Sequence, residues 1–344
     1  MQNLIIKKCG KEVFGYFSKY IDVESEKVFV VSTTNTFNIL NKHNEYNALI
    51  NLSRTNDIRF VNKFFEAVNS RLNNGDVYIG CLETISSRMQ RMPIGKIPVI
   101  GTIYFGVEFI FNRLSPKIFG LKKIYFLLTR GRNRLLSKAE VLGRLVCCGF
   151  EIIDYKGING LTYYVAKKKK APVFDMNPSY GPLYKMPRMG KNGKIIGVYK
   201  IRTMHAYAEY LQDYIIKING YAESGKPAND FRLTPWGKFM RRYWIDELPQ
   251  LINVFKGELK LVGVRPISQR YFQDIPKDLQ ELRLKQKPGC IPPYVALDRK
   301  GSVESVLQAE REYLQEKLKN PFTTDTKYFF KAIFNIILKR KRSA

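Results

Sequence analysis

Residues 229–266 read NDFRLTPWGKFMRRYWIDELPQLINVFKGELKLVGVRP, and the order of residue types in this stretch decides how the second half of the chain is read. Thr234 followed by Pro235 is a helix start: a hydroxyl cap, then a proline whose fixed φ and missing N–H suit the first helical position. A short helix is therefore expected over 236–242, and it delivers Arg241 and Arg242 just ahead of Asp246 and Glu247. A second helix is expected to begin near Asp246, to tolerate Pro249 in its first turn, and to close at Lys256-Gly257 before the strand KLVGV. At such a helix N-terminus the unsatisfied N–H groups and the dipole favour an anion, which predicts carboxylates ionised at neutral pH. An ionised carboxylate there can cap the helix, bind a cation or attack phosphorus.

Working outward, KMPRMGKNGKIIGVYKIRTM at 185–204 adds Lys200 and Arg202, while Arg232 and Arg265 stand on either side of the acidic pair. With Arg241 and Arg242 they form a cation set bracketing Asp246 and Glu247. Phosphoryl transfer needs charge neutralisation, in-line positioning and an unprotonated nucleophile. Guanidinium forks match phosphate oxygens and a lysine acts as a point charge. One or two carboxylates with substrate phosphates can hold magnesium, and the acidic pair can supply them. None of this requires a histidine, and the chain has two, His43 and His205.

The whole chain sets the frame for that chemistry. It has 344 residues, enough for two domains, and 45% hydrophobic residues to fill their cores. Its net charge of +28 favours anionic partners, whether nucleic acid, lipid head groups or phosphorylated small molecules. Five cysteines without a CxxC pair argue against a zinc site or a disulfide framework and for a reducing compartment. The N-terminal residues show no signal-peptide core, and no window reaches the roughly 20 apolar residues of a spanning helix. The longest apolar run, IPVIGTIYFGVEFIF at 97–111, reads either as a buried element or as a segment dipping into one leaflet.

The first part alternates strand-like and helix-like stretches. KVFVVST (27–33) and DVYIGCL (76–82) read as strands, with helical spacing in DIRFVNKFFEAVNSRL (57–72) between them. SKAEVLGRLVCCGF (137–150) reads as a Ser-capped helix, followed by the strands EIIDYKG and LTYYVAKK. That order predicts a layered α/β domain over 1–165. Residues 56–84 and 136–168 resemble the last strands and helices of a class I methyltransferase fold. No glycine-rich turn of the kind such enzymes need for their cofactor lies upstream of Asn51, so the domain is expected to be an incomplete, non-catalytic Rossmann-like relative. AKKKKAPVFDMNPSYGP (166–182) reads as a basic, proline-rich linker, either a solvated tether or a contact for an anionic membrane surface.

From residue 180 to 293 the chain resembles the bacterial sugar transferase family, the monotopic phosphoglycosyl transferases. The resemblance rests on the ordered series KIRTM, DFRLT, WGKFMRR, DELPQLINVFKGELKLVG and RP. It implies an α+β domain over 183–344 with amphipathic membrane-associated helices, so that the whole chain is α/β in class. It also implies an activity: transfer of a sugar 1-phosphate from a UDP-sugar to polyprenyl (undecaprenyl) phosphate, initiating polysaccharide or glycoconjugate assembly. Under it Asp246 is the nucleophile and Glu247 binds magnesium, with Asp246 as a second carboxylate for the ion. Lys200, Arg202, Arg232, Arg241, Arg242 and Arg265 with Pro266 hold phosphates and nucleotide. The implied location is the cytoplasmic face of the bacterial inner membrane, peripheral or monotopic.

The chain departs from the family where an apolar re-entrant helix is usual, since AKKKKAPVFDMNPSY stands there instead. It has GVRPIS where GPRPE is usual, and KPGCIPPYVALDRKG with Asp298 in place of a glycine-rich stretch. Membrane contact then falls to residues 97–111 or to the C-terminal KYFFKAIFNIILKRKR, an interfacial helix or one packed on the core with a solvated basic end. The other functional class is a catalytically inactive paralogue serving as a membrane-surface scaffold. Nucleic acid is not an expected partner, because no recognised DNA or RNA module accompanies the charge.

Overall fold

The strand-like runs of the first part assemble into one mixed sheet in the computed structural model, which describes residues 1–41, 45–174, 181–220, 227–299 and 302–338. Two compact units are present: Met1–Gly181 with Met204–Arg232, and Pro182–Thr203 with Leu233–Ala344.

In the first unit, β1 (Val28–Val31), β2 (Ala48–Arg54) and β3 (Val77–Leu82) run parallel, with helix α1 (Val61–Ser70) between the second and third. After β3 come α2 (Pro98–Phe109), α3 (Leu121–Thr129) and α4 (Lys138–Cys147), then the antiparallel hairpin β4 (Phe150–Ile158) and β5 (Leu161–Lys168). The sheet order is β1-β2-β3-β5-β4, and β5 pairs antiparallel with β3. All six residues of β3 are buried, as a central strand covered on both faces requires. Alternate side chains divide between the faces. Leu49 and Tyr78 join Phe64, Phe65 and Leu142 on one side, while Ile50 and Ile79 join Ile5, Val13 and Phe17 on the other. Gly80 is opposite Tyr164 in the β3–β5 register, and a Cβ there would lie 2.3 Å from the tyrosine oxygen, so only glycine fits.

The chain divides differently from the sequence reading. Residues 166–168, assigned to the linker, complete β5, and the Lys168 ammonium donates to the carbonyls of Asn69 and Leu72 at 2.9 and 2.7 Å. Strand pairing outweighs the composition of the lysine run, whose neighbours 175–180 lie outside the described residues. Met204–Arg232, assigned to the transferase part, gives Leu211 and Ile215 to the core of the first unit. Residues 97–111 are not a core element: Phe105 and Glu108 of α2 are buried, whereas Val99, Ile103 and Val107 are exposed.

The same unit buries an unusual ionic cluster. Glu140 on α4 is fully enclosed and ion-paired with Arg113, with Arg144 at 2.9 Å and with Lys117 at 3.6 Å. Burial by itself would raise its pKa, but Arg113, Lys117, Arg144 and Arg134 together hold the carboxyl well below the usual range. Burial brings Lys117 down to about 7 and His205 down to about 3, so that the neutral imidazole accepts from Arg113.

In the second unit, β6 (Leu183–Met189) and β7 (Ile195–Ile201) form an antiparallel hairpin. Helices α5 (Pro235–Arg242) and α6 (Gln250–Phe255) follow, and β8 (Lys260–Val262) pairs parallel with β9 (Gly289–Ile291). The long helices α7 (Val303–Lys319) and α8 (Thr324–Leu338) complete a core containing Val262, Leu279, Tyr313, Tyr328 and Ala332. Helix α8 is thus packed on the core through Tyr328 and Ala332, and Asn335 donates to the carbonyls of Val295 and Ala296. Phe330, Phe334 and Ile337 on its other side are exposed. The basic residues expected to end this helix, 339–342, lie outside the described residues.

Removing one charge from a buried ionic cluster leaves its partners uncompensated, typically at about 3–5 kcal/mol. Glu140→Gln should therefore lower stability by about that amount in a urea titration; a loss below roughly 1 kcal/mol would mean the cations find other partners.

Candidate active site

The sequence signal at Thr234-Pro235 becomes a cap with a second function. Thr234 Oγ1 accepts from Gly237 N at 2.9 Å and donates to the Thr203 carbonyl at 2.8 Å, so the start of α5 is fastened to the end of the strand region after β7. A Cβ at Gly237 would sit 2.2 Å from that same carbonyl, which requires glycine one turn into the helix. At the far end Arg241 Nε donates to Thr203 Oγ1 at 2.9 Å, which fixes the arginine's direction. Trp244 then adopts the left-handed region (φ 56°, ψ 16°), the position glycine normally takes after a helix.

Asp246 and Glu247 follow in a single 3-10 turn, Ile245–Glu247, and Pro249 is the cap residue of α6. The acidic pair therefore precedes the helix instead of forming its first turn. Asp246 is only 7% exposed, and burial pushes its carboxyl above the usual aspartate pKa, against the pull of nearby Lys200 and Arg241. The ionised state expected from a helix N-terminus is thus opposed by desolvation, which is a tertiary effect.

Glu247 is the hub of the cluster. Lys200 Nζ from β7 lies 2.6 Å from its Oε1, Arg265 Nη2 lies 3.9 Å from the same oxygen, and Gln250 Nε2 donates to Oε2 at 3.1 Å. Gln250 is itself buried, and its Oε1 has no hydrogen-bond partner among the described residues. Beneath this, the fully buried Asn253 accepts from Tyr199 N at 3.0 Å and donates to Gly197 O at 2.9 Å and Glu258 Oε2 at 2.6 Å. One side chain thereby ties α6 to β7. The Arg202 guanidinium stands 5.0 Å from the Tyr184 ring, within cation–π range, and Tyr184 senses Arg202, Arg241 and Asp246 while burial raises its pKa.

Residues 172–339 match the profile of the family described as bacterial sugar transferase. This part of the chain belongs to the bacterial sugar transferase family. Curated relatives include an uncharacterised sugar transferase from Haemophilus influenzae, 42% identical over 47% of this chain and 34% of its own length. An undecaprenyl-phosphate galactose phosphotransferase from Salmonella typhimurium is 38% identical over 32% of this chain and 24% of its own. A putative undecaprenyl-phosphate N-acetylgalactosaminyl 1-phosphate transferase from Bacillus subtilis is 38% identical over 30% of this chain and 54% of its own. The chain thus spans between 24% and 54% of the length of these relatives. Among solved structures, an O-methyltransferase family protein from Burkholderia thailandensis aligns at a TM-score of 0.24 with 9% identity, over 40% of this chain and 34% of that one.

Within the sugar transferase part, Lys200, Arg241, Arg265, Asp246 and Glu247 come together. Arg242 is exposed, and Pro266 follows Arg265 in a loop whose Arg265 carbonyl accepts from Arg283, a buried residue ion-paired with Glu310. Arg232 is not brought in. It folds with the first unit, is 3% exposed, and its guanidinium is committed to Asp230 at 2.7 Å and to Gln212. Among the described residues no group of three or more His, Cys, Asp or Glu side chains is placed to hold a metal by itself. Sequence reasoning missed Gln250 and Asn253, although both lie three or more residues past the acidic pair on the same short helix. It also missed Tyr184, Thr203 and Arg283, which reach the site through pairing that no local pattern announces.

Asn253→Ala would leave the Tyr199 N–H and the Gly197 carbonyl without their partner, at about 2 kcal/mol. A lower denaturation midpoint with unchanged cooperativity is the expected result, and an unmoved midpoint would show that water replaces the amide.

Proposed function

We propose that this chain is a phosphoglycosyl transferase that moves a sugar 1-phosphate from a UDP-sugar to polyprenyl phosphate, with Asp246 as the covalent nucleophile. The observation that carries the reading is a nearly buried aspartate set between Lys200 and Arg241 and beside the Lys200–Glu247–Arg265 cluster. The second unit has no histidine, since His43 and His205 both lie in the first, so carboxylate chemistry is what it offers. The names of the Salmonella and Bacillus relatives, both undecaprenyl-phosphate sugar transferases, support the acceptor class.

In the first step an Asp246 carboxylate oxygen bonds to the β-phosphorus of the UDP-sugar. The bond from that phosphorus to the bridging oxygen breaks, and UMP departs with the electron pair. The resulting acyl phosphate carries the sugar. In the second step an oxygen of polyprenyl phosphate attacks the same phosphorus and the aspartyl oxygen leaves as a carboxylate, giving the polyprenyl diphospho-sugar. Lys200, Arg241 and Arg265 neutralise the phosphates, with Arg202 and Arg242 as outer contacts and the loop at Pro266 facing the nucleotide. Arg232 has no part in this.

The carboxylates of Asp246 and Glu247 are hard-oxygen ligands that would suit magnesium once substrate phosphates complete its shell. An ion held there would offset negative charge on the pyrophosphate. The lipid acceptor puts the reaction at a membrane surface, on the cytoplasmic face where nucleotide sugars are made, as the first step of polysaccharide or glycoconjugate assembly.

Incubation with UDP-sugars, magnesium and polyprenyl phosphate should release UMP, and Asp246→Asn should reduce that release by roughly a thousandfold or more. Equal turnover by the two proteins would remove the covalent route. Because burial raises the Asp246 pKa and only the ionised carboxylate attacks, the rate should fall on acidification with its midpoint above the ordinary aspartate value of about 3.9. A midpoint at or below that value would assign the titration to another group.

A further inference from the structure

The side chains of residues 97–121, in the first unit, are sorted opposite to the usual rule for a water-facing segment. Every charge from residue 98 to 121 turns inward: Glu108 pairs with Arg88 at 2.5 Å, and Arg113 and Lys117 pair with the enclosed Glu140. What faces outward is apolar. Val99, Ile103 and Val107 repeat along one side of α2 at the four-residue spacing of a single helix face. On α3, Leu127 and Leu128 are exposed, and Phe119, at the turn just before Gly120 (φ +83°), is completely so. So many exposed large apolar side chains within one short segment are uncommon on a surface that meets only water.

Three features favour lipid as the medium that covers it. Helix α2 has 12 residues and is about 18 Å long, against roughly 30 Å for a bilayer's hydrocarbon core, so it can enter one leaflet without crossing. Among the described residues no helix is long and apolar enough to cross. Lys122 and Lys123 in the first turn of α3, and Arg130 and Arg132 just after it, are exposed and suit anionic head groups. A second copy of the chain would bring the same basic residues, and a net charge of +28, against this one.

We propose that the α2–turn–α3 segment seats in one leaflet of an anionic phospholipid bilayer, with Phe119 leading and the buried ion pairs holding the segment to α4. This membrane seat lies in the first unit and does not depend on the chemistry assigned to Asp246, so a failure of either leaves the other standing.

The full chain carrying Phe119→Trp, mixed with phosphatidylcholine–phosphatidylglycerol vesicles, tests it against the parent protein, whose tryptophans are Trp236 and Trp244. The added tryptophan should shift its emission to the blue and be quenched by brominated acyl chains, and less so with phosphatidylcholine alone. Val107→Asp or Leu127→Asp in that background should each weaken partitioning roughly tenfold. Vesicle binding with the Phe119→Trp emission unmoved would overturn the proposal, because another element would then carry attachment. A blue shift without vesicles that grows with protein concentration would also overturn it, in favour of a second copy covering the face.

Discussion

Asn253 and the Lys200–Glu247 ion pair together determine where the second unit places its acidic turn. The amide of Asn253 satisfies the backbone of β7 on both sides of Val198, and two residues further along that strand Lys200 meets Glu247 at 2.6 Å. A short 3-10 turn has little rigidity of its own. Its position comes from being fixed on one side by a strand and on the other by the Thr234–Thr203 and Arg241–Thr203 contacts. The buried setting that raises the Asp246 pKa follows from this fastening, as does the closeness of Lys200 that moderates it. Preorganised charge of this kind is what the proposed phosphoryl transfer would draw on.

What could be read from the sequence was what is encoded locally. Thr234 before Pro235 started a helix where expected because a cap and a proline act within one turn. The strand KLVGV and the α/β alternation of the first part were legible through spacing alone, whereas the β6–β7 hairpin was not read from the sequence. The protonation bias of Asp246 was not, since a helix end is visible in sequence but desolvation depends on residues far along the chain. Arg232 illustrates the same limit. It stood among the cations around the acidic pair, yet Asp230 two residues away and Gln212 twenty residues upstream had already engaged it. The lysine run at 167–170 looked like a tether because composition does not report that Lys168 has carbonyls waiting at the end of α1.

Residues 97–111 offered two readings from sequence, buried or shallowly inserted, because an apolar run has no direction until its charged members find partners. Glu108 is met by Arg88, and Arg113 and Lys117, which follow in the turns after α2, are met by Glu140. Once those contacts form, Val99, Ile103 and Val107 are left outside. The ionic cluster around Glu140 is thus as much an anchor for α2 and α3 as a feature of the core, which gives an otherwise costly set of enclosed charges a structural reason to exist.

The path of the polypeptide has a consequence for any attempt to take the molecule apart. The chain leaves the first unit after Gly181, returns at Met204 and leaves again after Arg232. No single scissile bond separates the two. A fragment beginning at residue 183 would carry Leu211 and Ile215 with nothing to bury them, and the remainder would lack two of its interior side chains. Biosynthesis meets the same topology: the amino-terminal unit waits for Leu211 and Ile215 until the ribosome has already produced the β6–β7 hairpin, so its completion and the start of the transferase unit are interleaved in time.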